Sequence, residues 1–243
     1  EVGTAEIECR ERDFVSRAID RLRQCPNLEI LGNPDVPRLS IMSLRFKHGA
    51  RDLHYGFVAS LLNDLFGIQV RGGCSCAGPY GHSLLGIDMD YSHAIEREIQ
   101  RGAAVLRPGW VRLNFNYFIG EDVFEYLLSA IELVAEHGWR LLPWYHFEEE
   151  TGAWRYLGQR VDLPVSLERL SFVEYATGER AQAGGRLELH GLVERAAAEL
   201  QLSNRPGPTA ELLISAESER LRWFVLPQEV SAELAPGREA GAA

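Results

Sequence analysis

Two thiols lie close together in a glycine-rich segment of this chain, residues 71–82, with the sequence RGGCSCAGPYGH. Cys74 and Cys76 follow a short apolar run, and the glycines around them allow backbone conformations that are closed to other residues. Arg71 and the start of a following helix would place these thiols in a positive potential, which lowers the pKa of a thiol. We therefore predict that Cys76 is a reactive nucleophile and that Cys74 has at most an accessory role.

Metal binding and a disulfide are the alternative uses of these thiols. His82 and His54 are the nearest further ligands in the sequence, but structural zinc sites usually bring cysteines two to four residues apart and a second pair with them. A disulfide between Cys74 and Cys76 would close a tight ring with poor geometry. We predict no metal site. His82 and His54 remain candidates for an acid or base, with packing as the alternative.

A second candidate binding element is the alternating segment 111–117, whose polar face carries Arg112, Asn114 and Asn116. An arginine between apolar neighbours in a strand is expected to meet a carboxylate or phosphate through two hydrogen bonds. An exposed face or an internal salt bridge is the alternative. Arg112 and Arg71 are therefore the predicted anion-binding, and hence substrate-binding, residues.

The bulk composition excludes several classes of protein. Of the 243 residues, 46% are hydrophobic and 25% are charged, as in ordinary globular proteins, and the net charge of −10 argues against nucleic acid or anionic membranes as partners. There is no apolar run of about 18 residues for a transmembrane helix. Four cysteines without a visible export signal favour the cytoplasm. The chain does not begin with methionine, and we expect it to be part of a longer protein.

Hydrophobic periodicity places the elements around these candidates. Helices are predicted over residues 8–24, 52–66 (with Asp52 as N-cap), 92–101, 121–137 and 187–201. Strands are predicted over residues 28–31, 38–46, 68–70 and 111–117, with a hairpin of residues 210–215 and 221–226. This order predicts an α+β fold in which helices pack on one side of a small sheet, followed by an α/β extension.

The predicted organisation has three parts. Residues 1–142 form the first domain, residues 143–226 form an extension with one helix and the hairpin, and residues 227–243 form a disordered tail rich in Ala, Gly, Pro and Glu.

The segment 70–79, VRGGCSCAGP, resembles the R-x-G-x-x-C-A-x-P signature of the class V aminotransferases, in particular the cysteine desulfurase-like enzymes. Arg112 in RPGWVRLNFNYF resembles the arginine with which that family binds the substrate carboxylate, and Glu121-Asp122 resembles the acidic helix start that follows it. The resemblance covers about residues 1–142, which would be the C-terminal small domain of the family. Residues 143–243 would be a subfamily extension.

The resemblance implies pyridoxal phosphate as cofactor, an amino-acid substrate such as L-cysteine and a homodimer when the protein is complete. Cys76 would be the nucleophile that forms a persulfide, and Cys74 occupies a position where the family often has histidine. Arg112 would hold the substrate carboxylate, and Arg71 would support the loop or the same anion. A desulfurase role is favoured over a general transaminase or lyase.

One departure from the family concerns lysine. Lys47 is the one lysine of the chain, and its neighbours His48-Gly49 indicate a solvated turn rather than the Schiff-base position. We therefore predict that the chain contains no cofactor-binding residue and is an inactive C-terminal portion of a pyridoxal phosphate-dependent transferase. The alternative is a stand-alone accessory module that uses Cys74 and Cys76 to accept sulfur or bind a metal. A non-catalytic oligomerisation domain is a third, weaker alternative.

Overall fold

The structure is a computed structural model that describes residues 2–74, 78–158, 188–202 and 207–235. Its α-helices are α1 (Thr4–Leu22), α2 (Tyr55–Phe66), α3 (Gly78–Leu85), α4 (Met89–Gln100), α5 (Glu121–His137), α6 (Leu189–Leu202), α7 (Ala216–Leu221) and α8 (Pro227–Leu234). Its strands are β1 (Leu28–Ile30), β2 (Ile41–His48), β3 (Arg51–Asp52), β4 (Arg71–Gly73), β5 (Trp110–Asn114), β6 (Tyr145–Glu148) and β7 (Ala153–Tyr156). Short 3₁₀ helices cover Ala104–Leu106 and Gly138–Trp144.

The main sheet is antiparallel, with the strand order β1-β2-β5-β4 and with β3 paired to the end of β2. Met42 and Leu44 of β2 and Val111 of β5 lie on the inner face and are buried in the core. Helices α1, α2 and α5 contribute to the same core. The predicted α+β fold, with helices packed on one side of a small sheet, is confirmed.

The other face of the sheet is polar because side chains alternate along each strand. Ser43, Arg45 and Lys47 of β2 lie on this outer face, and none of them is buried. Arg112 of β5 lies there too, because it pairs with Ser43. The outer face is therefore where the predicted anion-binding residues meet.

Helix α2 begins two residues later than the sequence predicts. Its N-cap is His54, whose Nδ1 accepts a hydrogen bond from the backbone N of Gly56, so the predicted Asp52 cap is wrong. Asp52 instead ends β3, and its side chain accepts a hydrogen bond from Arg45 Nε at 2.7 Å. The helix ends as predicted at Gly67, which has φ +64°.

The C-terminal extension contributes to the same core as the first 142 residues. Four of its side chains are at most 3% exposed: Trp154 of β7, Leu200 of α6, Val230 of α8, and Phe224, which lies between α7 and α8. The hairpin of β6 and β7, which the sequence reading missed, turns through Gly152 at φ +68°.

The predicted hairpin of residues 210–215 and 221–226 is wrong. Residues 216–221 form α7, which begins with a hydrogen bond from the backbone N of Ser218 to Ser215 Oγ. The only strand-like pairing described near residues 221–226 is a parallel bridge between Asp52 and Phe224. The apolar run after α7 is therefore a buried segment of irregular chain, whereas the run before it is partly exposed, with Leu213 80% exposed.

The predicted disordered tail is wrong for residues 227–234, which form α8. Pro227 occupies the first turn, where its missing N–H costs no hydrogen bond, and Glu229 accepts a hydrogen bond from the backbone N of Leu226. Residues 236–243 of that prediction lie outside the described residues. None of the described helices is long and apolar enough to cross a membrane.

Candidate functional site

Two arginines face each other across the outer face of the sheet. The register of β4 and β5 pairs Arg71 directly with Arg112. Directly paired residues have Cα atoms about 4.5–5.5 Å apart, and like charges in such a pair repel each other. Within the described part of the chain, neither guanidinium has a hydrogen bond or an ion pair with another side chain.

The other basic residues of this face do have acidic partners. Lys47 Nζ lies 2.7 Å from Glu29 Oε2, and Arg45 Nε lies 2.7 Å from Asp52 Oδ2. Arg71 and Arg112 thus differ from these two residues in having no acidic partner among the described residues, and a planar guanidinium fork is the geometry that suits a carboxylate.

The base of the cysteine loop is formed by three glycines and a tyrosine. A Cβ at Gly72 would lie 2.6 Å from Cδ2 of Tyr55, and a Cβ at Gly109 would lie 2.5 Å from Cα of Gly73 and 2.8 Å from Cε1 of Tyr55. Gly73 also has φ +115°, a conformation that favours glycine. Only residues without side chains allow β4, the start of β5 and the Tyr55 ring to approach so closely.

Tyr55 also lies within electrostatic reach of the loop. Burial raises the pKa of its hydroxyl, while the positive charge of Arg107 lowers that pKa and the thiolate of Cys74 raises it. Arg107 is exposed and precedes β5, so it adds a positive charge near Tyr55. The sequence reading missed Tyr55, Gly109 and Arg107. The Pro-Gly pair before a tryptophan was the one signal that a close approach occurs there.

Cys74 lies between β4 and α3 as a half-buried free thiol. A Cβ at Gly81 of α3 would lie 3.8 Å from Cys74 Cβ and 3.3 Å from Cη2 of Trp110. Trp110 is 4% exposed, and its Nε1 has no hydrogen-bond partner among the described residues. Cys76, the predicted nucleophile, lies outside the described residues, so its role stays a prediction.

The two candidate histidines have different environments. His82 lies on α3, close in sequence to the loop, and is half-buried, so its accessory role stays a prediction. His54 is 2% exposed; its Nε2 donates to the Val105 carbonyl (3.1 Å), and its Nδ1 accepts from Trp154 Nε1 (3.0 Å). Burial lowers its pKa to about 3, although the bond to Val105 partly opposes this. His54 is therefore a neutral packing residue and not an acid or base.

Lys47 is badly placed to hold pyridoxal phosphate. Its ammonium is paired with Glu29, and it lies four residues along β2 from Ser43, the partner of Arg112. At the rise of a strand, that separation is about 13 Å. The described residues therefore do not fit the cofactor. No group of three or more His, Cys, Asp or Glu side chains that could hold a metal ion occurs in the described part of the chain.

The chain is similar to a known protein family and to a solved structure. The family model of class V aminotransferases matches residues 1–94, from the N-terminus into α4, including the cysteine loop. The apo structure of cysteine desulfurase from Thermococcus onnurineus NA1 is 24% identical with a TM-score of 0.40; the match covers 56% of this chain but 27% of that chain. No curated protein matches the chain. Residues 1–94 are thus similar to part of the class V aminotransferase family.

Proposed function

We propose that this chain supplies the cysteine loop and the carboxylate-binding arginines of a pyridoxal phosphate-dependent class V enzyme that acts on an amino acid. The observation that carries the proposal is the pair Arg71 and Arg112, opposed on the open face of the sheet at the base of the loop. The family match over residues 1–94 supports it.

Each residue has a separate part in this proposal. Arg112 binds the carboxylate of the amino acid through two parallel hydrogen bonds, and Arg71 binds the same anion or keeps the loop in place. Cys76 attacks the sulfur atom of a substrate such as L-cysteine and retains it as a persulfide; the carbon–sulfur bond of the substrate breaks, and its electron pair stays with the carbon fragment, which the cofactor would stabilise. Cys74 and His82 are accessory groups in this proposal.

The cofactor itself must be held outside this sequence. The cofactor supplies an electron sink that no amino-acid side chain provides, and it needs a lysine for its Schiff base. Lys47 is paired with Glu29 and lies far along β2 from Arg112. We infer that the lysine belongs to another segment or another chain, that the active protein is a homodimer, and that this chain alone does not turn over.

The test uses the complete cofactor-loaded protein that carries this sequence, with sulfide release from L-cysteine in the presence of an added thiol, which reduces the persulfide, as the readout. Cys76→Ser should abolish sulfide release, and Cys9→Ser, a substitution at an exposed thiol of α1, should leave it unchanged. The isolated chain mixed with pyridoxal phosphate should release no sulfide. Sulfide from the isolated chain would show that Lys47 suffices, and normal release by Cys76→Ser would remove this thiol from the reaction.

The arginine pair is tested in the same protein. Arg112→Ala should weaken amino-acid binding by about 2–5 kcal/mol, the range for losing one partner of a desolvated charge pair. The control is Arg220→Ala, which removes an exposed arginine of α7 that pairs with Glu217. If Arg112→Ala changed only the stability of the protein, the arginine pair would be structural. Transfer of the amino group without sulfide release would assign the site to a transaminase.

A further inference from the structure

The part of the chain beyond residue 142 reaches the base of the cysteine loop through a continuous set of aromatic contacts. We propose that Trp223 and Trp154 are positioning residues, which hold the base of the cysteine loop, Gly72 to Cys74, in place through Tyr55 and His54. The extension then fixes the position of the base of the loop. The catalytic consequence of this inference rests on the proposed function, but the positioning itself does not.

The first step is the contact of Tyr55 with the loop base. The ring of Tyr55 packs so closely on Gly72 and Gly109 that a single methyl group at either position would overlap it. Gly109 in turn packs on Gly73, the residue before Cys74. A displacement of the Tyr55 ring would therefore open a space directly under the strand that leads into the loop.

The second step is the contact of Trp223 with Tyr55. The two rings are stacked, with centroids 6.1 Å apart and an angle of 10° between their planes. Trp223 Nε1 also donates a hydrogen bond of 3.1 Å to the carbonyl of Leu106, which lies four residues before Trp110. Trp223 therefore fixes the Tyr55 ring and, separately, the chain that enters β5.

The third step is the attachment of the extension itself. The backbone N of Asp52 donates to the Trp223 carbonyl (3.2 Å), and the backbone N of Val225 donates to the Asp52 carbonyl (2.9 Å). These two bonds hold residues 223–225 beside β3. Strand β3 ends two residues before His54. The position of Trp223 is thus set by the main chain and not only by side-chain packing.

Trp154 provides the fourth step. It donates from Nε1 to His54 Nδ1 at 3.0 Å, and His54 stacks on Trp223 with centroids 5.2 Å apart. His54 is buried, and its other nitrogen donates to Val105, on the segment that leads to β5. Trp223 therefore contacts both His54 and Tyr55, and Trp154 contacts His54. Tyr55 in turn packs on Gly72 of β4 and on Gly109, the residue before β5.

The experiment measures thiol reactivity in the full chain, without cofactor. Each variant is treated with iodoacetamide, and the alkylation rates of Cys74 and Cys76 are measured by peptide mass spectrometry. Cys25 serves as an internal reference because it is a half-buried free thiol just beyond the end of α1. Trp223→Leu should raise the rate of Cys74 relative to Cys25 by roughly 2- to 10-fold, the change that corresponds to losing one aromatic pair.

Two further variants separate positioning from general destabilisation. Trp223→Phe keeps a ring for stacking but loses the hydrogen bond to Leu106, so we expect it to restore most of the protection. Trp139→Leu removes a tryptophan that stacks on His48, away from the loop, and should leave the ratio unchanged. Equal acceleration of Cys74 and Cys25 in Trp223→Leu, or no change in either, would overturn the inference.

The outcome is independent of the proposed function. Alkylation requires neither substrate nor pyridoxal phosphate, so a changed ratio would support positioning even if the complete protein released no sulfide. Conversely, the complete protein could be active while Trp223→Leu changes neither the alkylation ratio nor kcat. That result would support the proposed function and contradict the positioning role of Trp223.

Discussion

At the scale of single residues, burial removes the ability of His54 to exchange a proton near neutral pH, which is the property that makes histidine a common acid or base. It is enclosed by aromatic rings, including those of Tyr55, Trp154 and Trp223, and both of its ring nitrogens are used in hydrogen bonds. Protonation would place a charge in this enclosure and would take the acceptor away from Trp154. Burial therefore holds the pKa of His54 at about 3, so the imidazole stays neutral in mildly acidic solution.

His54 should make stability depend on pH. Above pH 6.5 the residue is neutral whether the chain is folded or unfolded, so it contributes no pH dependence. As the pH falls from about 6.5 to 3, only the unfolded chain takes up this proton, and the free energy of unfolding falls by up to about 1.4 kcal/mol per pH unit. His54→Asn keeps an N-cap acceptor but lacks this proton uptake.

Urea denaturation at several pH values tests this prediction. His54→Asn should lower the free energy of unfolding by about 1–3 kcal/mol at pH 7, because buried polar groups lose partners. The difference in free energy of unfolding between variant and wild type should shrink as the pH falls towards 4. His93→Asn, a substitution at an exposed position of α4, is the control and should show no such change. A deficit that stays constant between pH 7 and pH 4 would mean that His54 titrates alike in both states.

The candidate site could be predicted only in part at this scale. The glycines around Cys74 and the arginine within an apolar strand were sufficient to single out the loop and Arg112. That Arg71 pairs with Arg112 depends on the register of two strands far apart in the sequence, which the amino-acid pattern does not specify. Tyr55 was read as an ordinary helix residue because its role depends on Gly72 and Gly109.

At the scale of elements, α7 and α8 are joined by a buried arginine. The Arg222 side chain is 3% exposed, and its Nη2 lies 2.6 Å from Oε1 of Glu219 and 2.6 Å from Oε1 of Glu229. Its Nη1 donates to the Phe224 carbonyl at 2.7 Å. The hydrogen bond from Arg222 holds the pKa of Glu219 below its ordinary value. One guanidinium therefore fixes the angle between two short helices that would be marginal alone.

We expect Arg222→Leu to destabilise the protein strongly. The cost should be about 3 kcal/mol, at the lower end of the range for breaking a buried pair, because both carboxylates remain accessible to water. Arg220→Leu, two residues earlier, removes an arginine with an exposed partner and should cost less than about 0.5 kcal/mol. The free energies come from urea denaturation of both variants. Equal costs would show that burial of the Arg222 pair adds nothing.

The elements were predictable where a long amphipathic pattern exists. Helix α5 was predicted with its observed bounds because its apolar residues recur over 17 positions. Helices α3 and α8 were missed because they have only eight residues each, and their glycine, proline and alanine content is typical of loops. The tertiary contacts of short segments determine their structure more than their own propensity does. The same dependence on tertiary contacts explains why the prediction of a strand over residues 221–226 is wrong.

At the scale of the whole molecule, the extension and the first 142 residues share one cluster of buried side chains. Phe57 of α2 packs against Tyr145 and Trp154, with ring centroids 5.1 and 6.0 Å apart. Leu200 and Phe224 are fully buried in the same cluster. Neither part retains a closed core when the other is removed.

We therefore expect one cooperative unfolding transition. Far-UV circular dichroism and tryptophan fluorescence should report the same urea midpoint, since the tryptophans lie on both sides of residue 142. Phe224→Ala should shift both midpoints together by an amount equivalent to about 3–5 kcal/mol. Tyr156→Ala, at a side chain that is 40% exposed, is the control and should shift them far less. Two separate transitions would show that residues 1–142 fold independently of the extension.

The scarcity of primary amines has a practical consequence. Amine-directed reagents can modify one side chain, Lys47, which is 40% exposed and lies on the same open face as the arginine pair. A fluorophore attached there, after the α-amino group has been blocked at a lower pH where lysine stays protonated, would be a single reporter at a known position. Quenching of its emission on mixing with a candidate polypeptide would indicate that this face had become covered, before any turnover is assayed.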